Sequence, residues 1–126
     1  MKKLLLGLGL ALVGFSAQAD NCDKTRNSLD AIHCNNLVYQ KADKELNATY
    51  TQLRAKLNTS EKKTLRSAQI RWIKERDAEC TIDSVDMGEV INSRCLLDKT
   101  TERTNWLNDR LRECKTVGCM KSKLDD

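Results

Sequence analysis

The chain has 126 residues, with 22 Lys and Arg against 18 Asp and Glu, a net charge of +4. That length makes one domain, and a charge so close to balance excludes a strongly basic nucleic-acid binder. Proline is absent and only five glycines occur, which argues against a sheet protein with its many tight turns. Leu, Ala, Lys, Glu, Arg and Gln dominate instead, and these are strong helix formers.

In chain order, Lys2 and Lys3 open an acid-free apolar run that ends in Ala17-Gln18-Ala19. A basic start, a short apolar stretch and an A-x-A end predict a secretory signal peptide over residues 1–19. The run is too short for a membrane span of about 20 residues. Cleavage after Ala19 leaves 107 residues, and loss of Lys2 and Lys3 takes the charge to +2. Ala19, Asp20 and Asn21 before Cys22 do not form a lipobox. A soluble protein of the bacterial periplasm or exterior is expected, without membrane insertion after signal cleavage. Residues 20–126 form its single domain, with a core over 22–113 and a disulfide-looped tail over 114–126.

A short helix is predicted from Asp23 to His33. A long one follows from about Asn36 to Leu57, because Tyr39, Ala42, Leu46, Tyr50, Leu53 and Leu57 recur at steps of three and four. Asn58-Thr59-Ser60 breaks the pattern, and Ser60 is a candidate N-cap with Glu61 in the first turn. The second long helix runs to Cys80 with a stripe of Leu65, Ala68, Trp72 and Glu79. Thr81 to Gly88 has no helical period and reads as a loop. A third helix spans Glu89 to Glu113, with Val90, Leu97, Thr100, Thr104, Leu107 and Leu111 on one face. The predicted fold is all-α, a small disulfide-stapled bundle of three long helices plus a short N-terminal helix.

The apolar core of such a chain is thin, since the segment after the leader contains no Phe. Six cysteines supply what the core lacks: Cys22, Cys34, Cys80, Cys95, Cys114 and Cys119. An even number in an exported small domain implies disulfides, each worth about 2–4 kcal/mol. Zinc needs close cysteine pairs with matched partners; Cys114 and Cys119 are the one close pair and His33 the one histidine, so no metal is expected. Cys80 and Cys95 flank a short reversal between antiparallel helices, which favours their union. Cys114 and Cys119 would stand roughly 8–9 Å apart on a continuous helix, too far for a bridge. Their pairing requires the helix to stop between them, and Gly118 can stop it. Cys22 and Cys34 remain.

Two groups of residues then stand out. The first is Asp43-x-x-Leu46-Asn47-x-x-Tyr50 followed by Leu65-x-x-Ala68-Gln69-x-x-Trp72-Ile73-x-x-Arg76-Asp77-Ala78-x-Cys80. The second is Cys95-Leu96 with Thr100-x-x-Arg103. Together they resemble the LprI N-terminal domain family, named after a mycobacterial lysozyme inhibitor, over about Cys22 to Leu111. The resemblance implies a small disulfide-bonded helical domain of the bacterial envelope. Cys114 and Cys119 lie beyond the usual family core.

Asp43, Asn47, Tyr50, Gln69 and Arg76 are polar residues on or beside apolar stripes. A carboxylate and a guanidinium on facing helices can pair in bidentate fashion. Two readings stay open: a network that fixes helix register, or a polar pocket. Trp106 lies on the side of its helix that carries Lys99, Arg103 and Arg110, a composition common at interfaces. Cys95 shares that side, so Trp106 is read either as cover for the bridge or as a partner contact. Asp83, Asp86 and Glu89 cluster around the loop, either as a solvated turn or as a surface for a basic partner. The candidate partner surface is therefore Asp83, Asp86, Glu89, Arg103, Trp106 and Arg110. Lys115, Lys121 and Lys123 leave the tail mildly basic, and His33 has no catalytic neighbours.

No nucleophile–base set, metal spacing or phosphate loop is present, so neither enzyme activity nor a cofactor is expected. What the resemblance implies is a protein that binds lysozyme or another peptidoglycan hydrolase and blocks it sterically. The alternative is a periplasmic binding module for another protein, an immunity or assembly partner.

Overall fold

The structure, a computed structural model, describes residues 22–126; the leader read at 1–19 lies outside them. Three helices carry the fold: α1 (Ser28–Arg54), α2 (Thr59–Glu79) and α3 (Ser93–Thr116). Between α2 and α3 stands an antiparallel hairpin of β1 (Thr81–Ser84) and β2 (Gly88–Ile91). The fold is thus helical with a small two-stranded sheet, rather than all-α.

The predicted short N-terminal helix does not exist as a separate element. Cys22–Lys24 makes one 3₁₀ turn, and α1 already begins at Ser28. Asn27 caps it by accepting the Asp30 N–H at 2.9 Å. No glycine or proline separates His33 from Asn36, so nothing stops the helix there. The third helix also starts later than its pattern suggests. Gly88, at φ 72°, and the β-branched Val90 and Ile91 favour a strand. Asn92 then caps α3 by accepting the Cys95 N–H at 3.1 Å.

Ser60 is not the cap of α2. Asn58 takes that place, accepting the Glu61 N–H at 2.9 Å while Glu61 Oε1 accepts the Asn58 N–H at 3.0 Å. This reciprocal capping box satisfies two backbone donors at once and explains why Glu61 is buried.

α1 and α3 run parallel and make the most extensive helix contact. Their starts meet where the Ser93 hydroxyl donates to Asn36 Oδ1, and their ends meet where Cys119 Sγ lies against the Lys56 carbonyl. Buried Thr49 and Thr100 are small enough to let the two backbones approach. α2 runs antiparallel to both. Leu46, Leu53, Leu57, Leu65, Leu107, Leu111 and Leu124 form the core, with Tyr50, Trp72 and Trp106 packed against it. Each buried leucine contributes about 1.5–3 kcal/mol.

Three disulfides join Cys22 to Cys34, Cys80 to Cys95 and Cys114 to Cys119. α3 ends at Thr116, and Gly118 (φ 104°) donates its N–H back to Glu113 at 2.9 Å. The chain reverses there, so Cys114 and Cys119 come within 4.0 Å at Cα. The tail then crosses α2 and α3, burying Leu124 in the core.

Candidate functional site

Two arrangements of polar side chains stand out, one internal and one projecting. The internal one is an alternating stack of arginines and aromatic rings. The Arg76 guanidinium lies 5.6 Å from the Tyr39 ring and 5.1 Å from Trp72. Arg103 lies 5.7 Å from Trp72 and 3.8 Å from Trp106, and Arg110 stands 5.4 Å from Trp106. Helical spacing makes this possible: Trp72 and Arg76 are one turn apart on α2, while Arg103, Trp106 and Arg110 share one side of α3.

Arg76 is buried and reaches Asp77 at 2.9 Å, Asp43 at 3.8 Å and the Thr100 hydroxyl at 3.3 Å. Arg103 is buried too, donating to Gln69 Oε1 at 2.9 Å and to the Asp126 main-chain oxygen at 2.7 Å. Burial, aided by nearby Arg71, lowers its pKa to about 10, against the pull of Asp126 and Glu75. Burial also raises the Tyr39 phenol, with Arg76 acting against it. Among the described residues, Arg103 Nη2 and Arg110 Nε are buried without a hydrogen-bond acceptor, and both guanidinium groups lie against the Trp106 ring.

Of the five residues read as one polar set, Asp43 and Arg76 meet across α1 and α2, while Gln69 serves Arg103 instead. Asn47 is exposed, and Tyr50 packs against the leucine core. Arg103, read from sequence toward a partner surface, is only 5% exposed. Trp106 is half-buried beneath it, and Arg110 pairs with Glu113 at 2.9 Å. The tail closes over this layer, with the Arg71 guanidinium holding Asp125. The sequence signal for that closure is faint, a single Leu124 in a polar tail.

The projecting arrangement is the hairpin. Its base is tied by the Cys80–Cys95 bridge and by the Asn92 N–H donating to the Cys80 carbonyl at 2.8 Å. The Thr81 hydroxyl anchors it further, donating to the Asp77 carbonyl at 2.6 Å. Val85, Asp86 and Met87 form the turn, and Gly88 closes it with a positive φ that L side chains rarely adopt. Val85 is fully exposed and Met87 is 73% exposed. Asp83 stands directly across from Glu89. Like charges opposed on a sheet are destabilising, and none of Asp83, Asp86 and Glu89 makes an ion pair among the described residues. The strand character here had a sequence signal, the Thr81-Ile82 and Val90-Ile91 pairs.

Among the described residues, no group of three or more His, Cys, Asp or Glu is placed to hold a metal. None of their helices is long and apolar enough to cross a membrane.

Comparison with known proteins adds a family. The family described as lysozyme inhibitor LprI matches residues 19–115. An uncharacterized protein of Rhizobium meliloti (strain 1021) is 28% identical over 107 residues, covering 71% of this chain and 77% of its own. No solved structure matches the chain.

Proposed function

The chain belongs to the lysozyme inhibitor LprI family, and from that premise we propose that it is an exported inhibitor of lysozyme or a related peptidoglycan hydrolase, with the hairpin as its inhibitory element. The hairpin carries this reading. It presents two apolar side chains, Val85 and Met87, at the tip of a disulfide-tied ribbon flanked by Asp83, Asp86 and Glu89.

Lysozyme is a basic enzyme whose catalytic carboxylates lie in an open cleft. An exposed apolar tip fits the sugar-binding part of such a cleft, and three unpaired carboxylates complement a cationic rim. A ribbon already fixed by its bridge loses little entropy when it binds. The inhibition is steric and needs no chemistry from the inhibitor. The six disulfide cysteines suit an oxidising compartment outside the cytoplasm, where such hydrolases act.

The test is lysozyme-driven clearing of cell-wall suspensions with increasing oxidised protein. Saturable inhibition near one-to-one is expected, and Asp83→Lys with Asp86→Lys should weaken it at least tenfold without lowering the melting temperature. Unchanged inhibition by that variant would remove the hairpin from the interface. Absence of inhibition across lysozyme and other hydrolases would leave the hairpin as a binder of a different envelope protein.

A further inference from the structure

The end of the molecule remote from the hairpin carries the opposite charge. Arg54, Thr59, Lys62, Lys63 and Arg66 line a shallow cleft of about 170 Å³ beside the α1–α2 turn. Lys56 lies in that turn, and Lys121 joins the same end by donating to the Ser60 hydroxyl at 2.9 Å. Among the described residues, Arg54, Lys56, Lys62, Lys63 and Arg66 make no ion pair. The nearest carboxylate in sequence, Glu61, is buried and committed to the Asn58 N–H. These cations are therefore not neutralised by the fold.

A second observation separates this pole from an ordinary solvated charge cluster. The turn after α3 exposes Val117 (76%) and Met120 (42%). The Cys114–Cys119 bridge closes that turn, and Cys119 Sγ sits 3.6 Å from the Lys56 carbonyl. Exposed apolar side chains and unpaired cations thus share one end. That combination suits a surface with anionic headgroups over a hydrocarbon boundary. A soluble polyanion would use the cations and leave Val117 and Met120 in water.

We propose that this basic–apolar pole docks the protein peripherally on anionic phospholipid. Arg54, Lys56, Lys62, Lys63 and Arg66 meet the headgroup phosphates, and Val117 and Met120 enter the headgroup boundary. α2 begins at this pole and ends at the hairpin, and its 21 residues span about 30 Å. Docking therefore holds the acidic hairpin tip away from the bilayer, where a repelling acid belongs. This proposal does not depend on what the hairpin binds.

Sedimentation of the oxidised protein with vesicles tests it. The expected result is binding to phosphatidylglycerol–phosphatidylcholine vesicles that fades with salt, and none to phosphatidylcholine alone. Each surface cation contributes about fivefold, so Lys62→Gln with Lys63→Gln should weaken binding about 25-fold. Val117→Ser with Met120→Ser should weaken vesicle binding several-fold while leaving binding to polyphosphate unchanged. Asp83→Lys with Asp86→Lys should keep full vesicle binding, which separates this result from the inhibition assay. No binding to anionic vesicles overturns the proposal, as does parental binding by the Lys62/Lys63 variant. Vesicle binding indifferent to Val117 and Met120, with tight polyphosphate binding, would replace lipid by a soluble polyanion.

Discussion

The arginine–aromatic layer and the hairpin treat charge in opposite ways. In the layer, Arg76 and Arg103 are buried, yet each is hydrogen-bonded and stacked on two rings. In the hairpin, Asp83 and Glu89 face each other in the open, without a counter-ion among the described residues. The layer's charges join helices: Arg76 of α2 reaches Asp43 on α1 and Thr100 on α3, and Arg103 of α3 reaches Gln69 on α2. The hairpin's charges cost the fold a little and give it nothing. In the proposed function that unpaired charge is what meets a basic partner.

The sharpest way to break this division is to cut the link between the two regions. Cys80 and Cys95 join the end of α2 to the start of α3 beneath the hairpin. Replacing both with serine should cost about 3 kcal/mol for a loop of this length. In the proposed function, inhibition should fall as well, because the ribbon loses its fixed base. Thermal unfolding followed by circular dichroism, beside the clearing assay, checks both. A variant that melts lower yet inhibits fully would show that the hairpin does not need its staple.

Next in size is the layer. Arg103→Ala leaves Gln69 Oε1 unpartnered and takes one of two cations from each of Trp72 and Trp106, which keep Arg76 and Arg110. A cost of about 2–3 kcal/mol is expected, a fall in melting temperature of roughly 10–15 °C for a domain of this size. Arg103→Met should recover much of that loss. Burial already opposes the Arg103 charge, and an apolar residue of similar shape avoids that cost. Hydrolase inhibition should survive in whatever fraction stays folded.

The hairpin answers with an effect of opposite sign. Glu89→Thr removes the repulsion against Asp83 and adds a β-favouring residue. Stability should rise by about 0.5 kcal/mol, while inhibition falls. A stabilised variant with undiminished inhibition would return Glu89 to the class of solvated charges.

These two regions were also unequally legible in the sequence. The long helices could be read from apolar spacing and from the near absence of breakers. The cap of α2 was equally readable, since Asn58-Thr59-Ser60-Glu61 spells a capping box; two further cap-type residues beside it obscured the choice. The hairpin was harder, because Asp83 and Asp86 weaken the strand signal of Thr81-Ile82 and Val90-Ile91. The place of Arg103 was hardest. Spacing puts it on the buried stripe with Leu96, Thr100, Leu107 and Leu111, but an arginine is read outward by default. Its burial is supported by the rings of Trp72 and Trp106, by Gln69 and by the Asp126 main chain, and apart from Trp106 these partners are long-range.

The smallest expected effect lies at the edge of the layer, on Tyr39. Burial raises its pKa above the ordinary 10.0, and the Arg76 guanidinium holds the rise in check. A raised pKa means that the folded state favours the neutral phenol. Its contribution to stability is therefore complete below pH 10 and is lost as pH climbs through the folded-state value. Absorbance titration of tyrosinate should show a late component that disappears in Tyr39→Phe. In Arg76→Met the check is gone, so that component should move later still. Movement to lower pH in Arg76→Met would mean that the cation does not face the phenol, and the stack would then begin at Trp72 rather than at α1.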